Sequence, residues 1–263
     1  SLLVIGGGII GCEFASIFSS FGSAVTIVEV CDHLIPGTDT DMARKLETSF
    51  RKKGIKVHTK ADPAAFDLSA YEKVLVCVGR VPRTEGVQDA GIAVERGRIV
   101  VDDFMMTSVP GVYAAGDCTG RLMLAHVAAA QGRVAARNCA AGKPAEKISY
   151  SGIPSCIFTS PEIACVGISE DEAMKRGITV KEYGFDLMGS GMAQVMGETE
   201  GMIKILADIR TDEVVGAFVI GPNACELGGT LTLAVQTSMK ISDLKRTVFA
   251  HPSLTEAISE TLI

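Results

Sequence analysis

The glycine-rich stretch GGGIIG, at residues 6–11, constrains the fold of this chain more than any other feature of the sequence. It follows the apolar run 2–5 and precedes residues 9–21, where apolar side chains recur with helical spacing. A second apolar run, at 24–29, begins two residues after Gly22. Strand, helix and strand in such close succession predict a parallel βαβ unit with a right-handed crossover.

In this setting the stretch fits the dinucleotide-binding pattern G-x-G-x-x-G. Gly6 permits the tight turn, Gly8 lets the backbone approach a pyrophosphate, and Gly11 lets helix and strand pack closely. The helix N-terminus offers unpaired N–H groups to phosphates. Glu29, at the end of the second strand, can accept hydrogen bonds from ribose hydroxyls but repels a 2′-phosphate. The pattern therefore favours NAD over NADP, with a purely structural glycine turn as the alternative.

Composition excludes several other classes of function. The net charge is −6 and no run of Lys or Arg exceeds three residues, which argues against a nucleic-acid partner. No apolar run is long enough for a membrane span, and no targeting peptide is visible. The eight cysteines show neither C-x-x-C nor C-x-x-x-x-C spacing. They are predicted to be small buried residues in a reducing compartment, the cytoplasm or a mitochondrial matrix, with no metal site.

The remaining pattern changes twice along the chain. A helix at 39–53 and strands at 56–59 and 73–78 continue the α/β character, and short strands and turns at 91–115 precede an Ala-rich helix at 123–139. Beyond residue 150 the pattern is typical of an α+β domain. Its strands are predicted at 155–159, 163–168, 180–185, 201–208 and 214–220, and its helices at 224–237, at 255–262 and from Ser169 onward.

Two further pairs of residues could bind a cofactor or take part in catalysis. Gly116 and Asp117 follow a short apolar strand, where an Asp can hold a ribityl or ribose hydroxyl; an ordinary turn is the alternative. His251 is followed five residues later by Glu256. A carboxylate on one ring nitrogen fixes the tautomer of a histidine and stabilises its charged form, as acid–base chemistry on a thiol requires. The alternative is a His-Pro loop beside an unrelated helical Glu.

Seven segments occur in this order: GGGIIGCEFASIFSSFG, VLVCVGRVPRT, GVYAAGD, SPEIACVG, GETEGMIKIL, VVGAFVIGPNACEL and AHPSLTEA. Together they resemble the class I pyridine nucleotide–disulfide oxidoreductases, and among these the dihydrolipoamide dehydrogenases, over nearly the whole chain. The resemblance implies an α/β fold in three parts. These are an abbreviated Rossmann-like NAD-binding domain at residues 1–79, the C-terminal half of an FAD-binding domain at 80–147, and an α+β interface (dimerisation) domain at 148–263.

The resemblance also implies two cofactors, NAD and FAD, and a homodimer. The residues that it assigns to the cofactors are Gly6, Gly8, Gly11 and Glu29 for NAD, Ile9 and Glu13 beside the nicotinamide, and Gly79, Arg80, Gly116, Asp117, Ala125 and His126 for FAD. His251 and Glu256 resemble the acid–base dyad that completes the active site of the other subunit. The implied substrate is the dihydrolipoyl group of a carrier protein or a small disulfide.

The sequence departs from the family pattern in three places. It contains neither a first G-x-G-x-x-G for FAD nor a C-x-x-x-x-C redox pair; the segment 57–74 is short, and Phe249 stands where the dehydrogenases often carry His. Because Ser1 begins directly before a core strand, the natural protein is expected to start upstream. The chain is thus expected to be a fragment, inactive alone, of an enzyme that converts dihydrolipoamide and NAD⁺ to lipoamide and NADH.

Two kinds of alternative stay open. One is another oxidoreductase of the superfamily: a soluble transhydrogenase, a mercuric reductase or a glutathione reductase. Glu29 without neighbouring arginines disfavours an NADP-specific glutathione reductase, and the C-terminal ISETLI lacks the cysteine pair of a mercuric reductase. The other is a non-catalytic module that dimerises through residues 150–263.

Overall fold

The computed structural model describes residues 1–263, which divide into two compact units. Unit 1 combines Ser1–Gly79 with Gly152–Ile263, and unit 2 is Arg80–Ser151.

Unit 1 begins with a parallel sheet. Its elements are β1 (Leu2–Ile5), α1 (Ile9–Ser20), β2 (Val25–Val28), α2 (Thr40–Lys52), β3 (Lys56–His58) and β4 (Lys73–Val76). The strand order is β3-β2-β1-β4, and all pairs are parallel. The predicted βαβ unit is confirmed, with each of its elements within a few residues of its predicted bounds.

Helix α1 packs on this sheet by its small residues rather than by its large ones. Gly11, Cys12 and Ala15 are buried, because small side chains let a helix approach a sheet closely. Five large apolar side chains of the helix and its C-cap are 37–80% exposed; they are Ile10, Phe14, Ile17, Phe18 and Phe21. The apolar side that marked this helix in the sequence is therefore its outer side.

Unit 2 is small and built around one helix. It contains the hairpin β5 (Val94–Glu95) and β6 (Arg98–Ile99), followed by α3 (Ala125–Ala141). The short apolar strand expected before Gly116 forms only an isolated bridge, from Tyr113 to Met106. Buried Asn138 of α3 explains the path of the chain that follows, because its side-chain amide binds backbone groups of Ala145 and Glu146.

The C-terminal part of unit 1 is an antiparallel sheet with helices. Its elements are β7 (Ser155–Ile157), β8 (Glu162–Gly167), α4 (Glu170–Lys175), β9 (Val180–Asp186), α5 (Gly191–Met196), β10 (Met202–Asp208), β11 (Val214–Gly221), α6 (Ala224–Gln236), α7 (Ile241–Arg246) and α8 (Glu256–Glu260). The strand order is β7-β8-β11-β10-β9. Helices α5 and α7 were not predicted; each has only six residues, too few for a periodic pattern. The helices are all too short or too polar to cross a membrane.

The two sheets of unit 1 share a core. One buried cluster joins Ile27 and Phe50 of the parallel part to Leu206 and Phe218 of the antiparallel part. The side chain of Lys204, in β10, is only 1% exposed. Its Nζ lies 2.7 Å from a carboxylate oxygen of Asp39, the N-cap of α2, and 2.7 Å from one of Asp41 in its first turn.

Candidate functional site

The glycine-rich stretch at the start of α1 is closely packed at Gly6, Gly7 and Gly11 and open at Gly8. Gly6 has φ 102°, and a Cβ there would lie 2.3 Å from the carbonyl oxygen of Cys77. A Cβ on Gly11 would lie 2.0 Å from the carbonyl oxygen of Gly6. Gly8, the N-cap of α1, has no protein atom within 4 Å of the place where its Cβ would be. The first turn of α1 is therefore open to a ligand at Gly8.

The Glu29 side chain fixes the glycine loop by accepting a hydrogen bond from its backbone. Its Oε2 accepts a hydrogen bond from the N–H of Gly7 at 2.7 Å, and its Oε1 accepts one from the N–H of Cys31 at 2.8 Å. The residue is buried, at 6% exposure. Each carboxylate oxygen can accept two hydrogen bonds, so acceptor positions remain for ribose hydroxyls. The hydrogen bond of Gly7 was not predicted from the sequence, because its partner, Glu29, lies 22 residues away.

Cys12 adds a third contact to the loop. Its thiol donates a hydrogen bond to the carbonyl oxygen of Gly7, with Sγ and O 3.2 Å apart. Burial raises the pKa of this thiol far above its ordinary value, so it stays a neutral donor.

The residues expected beside a nicotinamide lie at the start of α1. Ile9 is its first residue and is half-buried. Glu13, also half-buried, accepts a hydrogen bond on Oε1 from the N–H of Phe158 at 2.9 Å. One turn on, the Oγ of Ser16 accepts a hydrogen bond from the N–H of Ser160 at 2.9 Å. The loop after β7 is thus fastened to the dinucleotide helix.

The Gly116–Asp117 turn lies in unit 2, against α3. Gly116 has φ 88°, and its N–H donates to Oε1 of Gln131 at 2.6 Å. Gln131 is buried in α3, and its Nε2 donates to the hydroxyl of Tyr150 at 2.9 Å. Asp117 is exposed at the start of a single 3₁₀ turn. Gln131 is a site residue that the sequence reasoning missed; its one signal is a polar side chain on the apolar side of an Ala-rich helix.

The remaining residues assigned to FAD are exposed. Ala125 and His126 are the first two residues of α3. Gly79, with φ 117°, and Arg80 lie on either side of the boundary between the two units in the sequence. Their positions are compatible with contact to a ligand.

The structure brings His251 and Glu256 together. His251 Nδ1 lies 2.9 Å from Glu256 Oε1, and Glu256 Oε2 accepts a hydrogen bond from the N–H of Ser253 at 2.8 Å. The Ser253 hydroxyl closes the turn on the carbonyl oxygen of Ala250 at 2.6 Å. The Ser253 N–H first, and His251 second, hold the pKa of the Glu256 carboxyl below its usual range. The carboxylate is therefore charged at neutral pH and fixed in orientation.

This arrangement suits proton transfer. When Nδ1 carries a proton toward Glu256, the second ring nitrogen is left as the base. The His251 side chain is 81% exposed, so a reacting group can reach it. Beside the turn is a groove of about 380 Å³ with a largely apolar lining that includes Met192, Met196 and Leu254. The Met-rich stretch 188–202 contains the whole of α5 and lines part of this groove.

The cysteines are less buried than expected. All eight are free thiols, but only Cys12 is fully buried and Cys139 is exposed; the others are half-buried. No group of three or more His, Cys, Asp or Glu residues could hold a metal ion.

Comparison with known proteins gives matches over both parts of the chain. Residues 1–132 match the family described as pyridine nucleotide-disulphide oxidoreductase, and residues 153–262 match the dimerisation domain of that family. Dihydrolipoyl dehydrogenase of Chlamydia pneumoniae is 39% identical over 275 residues, which cover 98% of this chain and 59% of the relative. That of Thermus scotoductus is 41% identical over 281 residues, covering 98% of this chain and 60% of the relative.

Solved structures give the same result. LpdA from Mycobacterium tuberculosis superposes with a TM-score of 0.88 at 32% identity, over 99% of this chain and 60% of that one. The Cu(II) complex of the HOCl-induced flavoprotein disulfide reductase RclA from Escherichia coli superposes with a TM-score of 0.90 at 28% identity, over 99% of this chain and 63% of that one. The chain spans about 60% of the length of the curated relatives that it matches.

Proposed function

The chain belongs to the pyridine nucleotide–disulphide oxidoreductase family, and from that membership we propose that it supplies the NAD-binding and acid–base parts of an NAD-linked dithiol–disulfide oxidoreductase. The family consists of oxidoreductases that use FAD and NAD(P). The proposed overall reaction is dihydrolipoamide + NAD⁺ to lipoamide + NADH. Relatives of known name support this substrate, since they are dihydrolipoyl dehydrogenases.

The hydrogen-bonded pair of His251 and Glu256, 2.9 Å apart, is the observation that carries the proposal. Only a thiolate exchanges with a disulfide, so a dithiol substrate needs a base that works near neutral pH. A histidine held by a charged carboxylate meets that need, because the carboxylate orients the ring and stabilises the imidazolium. His251 takes the proton from the substrate thiol, and Glu256 holds His251.

The glycine loop suits the pyridine nucleotide. The open side of Gly8 leaves room for the pyrophosphate at the N-terminus of α1, and Glu29 retains acceptor positions for ribose hydroxyls. The same carboxylate would repel a 2′-phosphate, which favours NAD. Asp117 and the exposed start of α3 would hold FAD, and a bound flavin would supply the two-electron carrier between thiols and nicotinamide.

The proposal keeps the division of the chain predicted from its sequence. Residues 1–79 bind NAD, residues 80–147 form part of an FAD domain, and residues 148–263 form a homodimer in which each dyad serves the other subunit. The match of residues 153–262 to a dimerisation domain supports the last assignment. A cytoplasmic location stays a prediction from the sequence.

Three measurements on the purified chain test the proposal. We expect saturable NADH binding by fluorescence, a dimer by light scattering, and no lipoamide-dependent formation of NADH with added FAD. Turnover is not expected, because no two cysteines of the chain have C-x-x-x-x-C spacing. Clear turnover would contradict the expected inactivity, and failure to bind NADH would contradict the proposed cofactor site.

The alternatives give different results in the same samples. A soluble transhydrogenase would pass reducing equivalents from NADH to a nucleotide analogue such as thio-NAD⁺ without any thiol. A non-catalytic module would be a colourless dimer that binds neither flavin nor NADH.

A further inference from the structure

Two cysteines of unit 1 lie next to each other, although they are far apart in the sequence. Cys156 is the middle residue of β7, and Cys225 is the second residue of α6. Cys156 lies opposite Ala164 in the sheet, and Gly228 of α6 packs on Ala164, so the two cysteines are on the same side of the sheet. Neither belongs to the proposed cofactor sites or to the dyad.

The secondary structure holds the pair in place. In the antiparallel pairing of β7 and β8, Cys156 lies opposite Ala164. Cys225 is anchored on β8 by its N–H, which donates to Oε2 of Glu162 at 3.1 Å, and by its thiol, which donates to the carbonyl oxygen of Ile163 at 3.7 Å. Helix α6 packs tightly here, since a Cβ on Gly228 would lie 2.7 Å from that of Ala164. The two thiols are therefore held together by packed elements rather than by mobile loops.

The pair differs from the other cysteines of the chain. Cys165 is near in the sheet but lies opposite Ser155, and side chains alternate between the faces of a sheet, so Cys165 is on the other face from Cys156. A raised thiol pKa is no difference: burial raises the pKa of Cys165 to about 12, and burial first, with Cys156 second, also raises the pKa of Cys225. Cys139 is exposed, in α3 of unit 2.

Both cysteines are partly exposed, and a cavity adjoins the segments that carry them. Both thiols belong to half-buried residues. A cavity of about 550 Å³ adjoins the segments on either side of them: its lining includes residues 159–162, after β7, and residues 221–223, before α6. Glu162, which binds the N–H of Cys225, is one of the lining residues.

We propose that Cys156 and Cys225 form a reversible intramolecular disulfide by exchange with low-molecular-weight disulfides. The thiolate of one cysteine attacks a sulfur of the small disulfide RSSR, forming a mixed disulfide and releasing RS⁻. The second cysteine, as its thiolate, attacks the protein sulfur of that mixed disulfide and releases the second RS⁻. Two electrons pass from the cysteine pair to RSSR, and the two thiol protons go to the two released RSH molecules.

The disulfide would join elements that bear on the dinucleotide helix. It would tie the start of α6 to β7, and β7 leads directly into Phe158 and Ser160. The N–H groups of those two residues bind Glu13 and Ser16 of α1. The pair is thus placed to stiffen the support of α1 when it is oxidised.

Treatment of the purified chain with glutathione disulfide tests this inference. After free thiols are blocked and the protein is digested without reductant, mass spectrometry should find a peptide in which Cys156 is joined to Cys225, and dithiothreitol should release it. The thermal midpoint should rise by about 5 °C, because the cross-link closes a long loop in the unfolded chain. Neither readout needs NADH, flavin or lipoamide, so the result is independent of the proposed function.

Matched variants separate this disulfide from general oxidation. Cys156→Ser and Cys225→Ser should each abolish the joined peptide and the rise in midpoint, whereas Cys139→Ser and Cys165→Ser should keep both. Glutathione attached only to Cys139, or a midpoint that rises equally in Cys225→Ser, would overturn the proposal. Peptide mapping of the unaltered chain decides the matter even if a variant fails to fold.

Discussion

At the scale of single residues, Gly8 at the N-cap of α1 and Gly11 in its first turn have different physical reasons to be glycine. Gly11 faces the backbone of Gly6, where no Cβ fits, and Gly8 faces open space. One therefore serves the packing of the protein, and the other serves a ligand that approaches the loop.

Replacing each of these glycines by alanine should separate stability from binding. Gly11→Ala should lower the free energy of unfolding by about 1–3 kcal/mol, because the Gly6 carbonyl has to move. Gly8→Ala should cost less than about 1 kcal/mol, the range of an N-cap change. Its NADH affinity should nevertheless fall about tenfold or more, since the new methyl group stands in the way of the pyrophosphate. Denaturant unfolding and NADH fluorescence titration measure the two effects; equal loss of stability in both variants would contradict this division.

The carboxylate of Glu256 offers a second prediction at this scale. Its pKa is lowered mainly by the N–H of Ser253 and to a smaller extent by His251. His251→Ala should therefore raise the Glu256 pKa only part of the way to its ordinary value. A lowered carboxyl pKa stabilises the fold above the ordinary Glu pKa, and this contribution is lost as the pH falls through the lowered value. Carbon-13 NMR titration of Glu256 in both proteins checks this; an ordinary pKa in the unaltered chain would refute it.

At the scale of secondary-structure elements, long segments with a periodic apolar pattern could be predicted from the sequence. Two short helices and the packing side of α1 could not. The βαβ unit, α2, α3 and the five strands of the antiparallel sheet follow from apolar periodicity, glycine stops and Asp39 or Ser169 at helix starts. Helices α5 and α7 are too short to repeat a pattern. The side of α1 that packs on the sheet could not be predicted, because the large apolar residues of the helix suggest a core face. In the structure its small residues contact the sheet instead.

The candidate site followed the same division. The glycine loop and Glu29 were predicted from their spacing in a βαβ unit, whereas the pairing of His251 with Glu256 was implied by the family resemblance. Gly7 and Gln131 were not predicted, because each acts through a partner that only the fold brings near.

Replacing buried Lys204 should destabilise the fold far more than replacing Lys45. Both lysines form ion pairs between the parallel and the antiparallel part of unit 1. Burial alone would lower the pKa of Lys204, but hydrogen bonds to Asp39 and Asp41 outweigh that and raise it. The ion pairs therefore stabilise the fold up to the ordinary lysine pKa, and that stability is lost as the pH rises through the raised value. Lys204→Met leaves buried Asp39 without its cation, which should cost about 3–5 kcal/mol in unfolding free energy.

Lys45→Met is the matched control, since Lys45 pairs with exposed Asp186 at 2.9 Å. It should cost less than about 1 kcal/mol, as exposed ion pairs do. Chemical denaturation of both variants decides the comparison, and similar costs would contradict the importance of Lys204.

At the scale of the whole molecule, unit 1 is assembled from two stretches of chain that are separated by unit 2. Both sheets of unit 1 contribute to one core, and Lys204 adds an ionic link. The connection between the stretches therefore matters less to unit 1 than the contact between them.

Limited trypsin digestion tests this organisation. Arg80, Arg83 and Lys147 are exposed near the boundaries of unit 2, so the earliest cuts should fall there. After cutting, the fragments that hold Ser1–Gly79 and Gly152–Ile263 should co-elute in gel filtration, because they share a core. Separate elution of these fragments in native buffer would contradict a single unit 1, and elution in denaturant is the control.

The loop between β7 and β8 has a consequence for protein engineering. Phe158 and Ser160 bind α1 through their N–H groups, and the carbonyl and hydroxyl oxygens of Ser160 accept hydrogen bonds from Lys53. Adding or removing a single residue there would shift these groups out of reach of their partners together. The length of this loop is therefore fixed by its hydrogen bonds, and tags, labels or grafted peptides are better placed elsewhere.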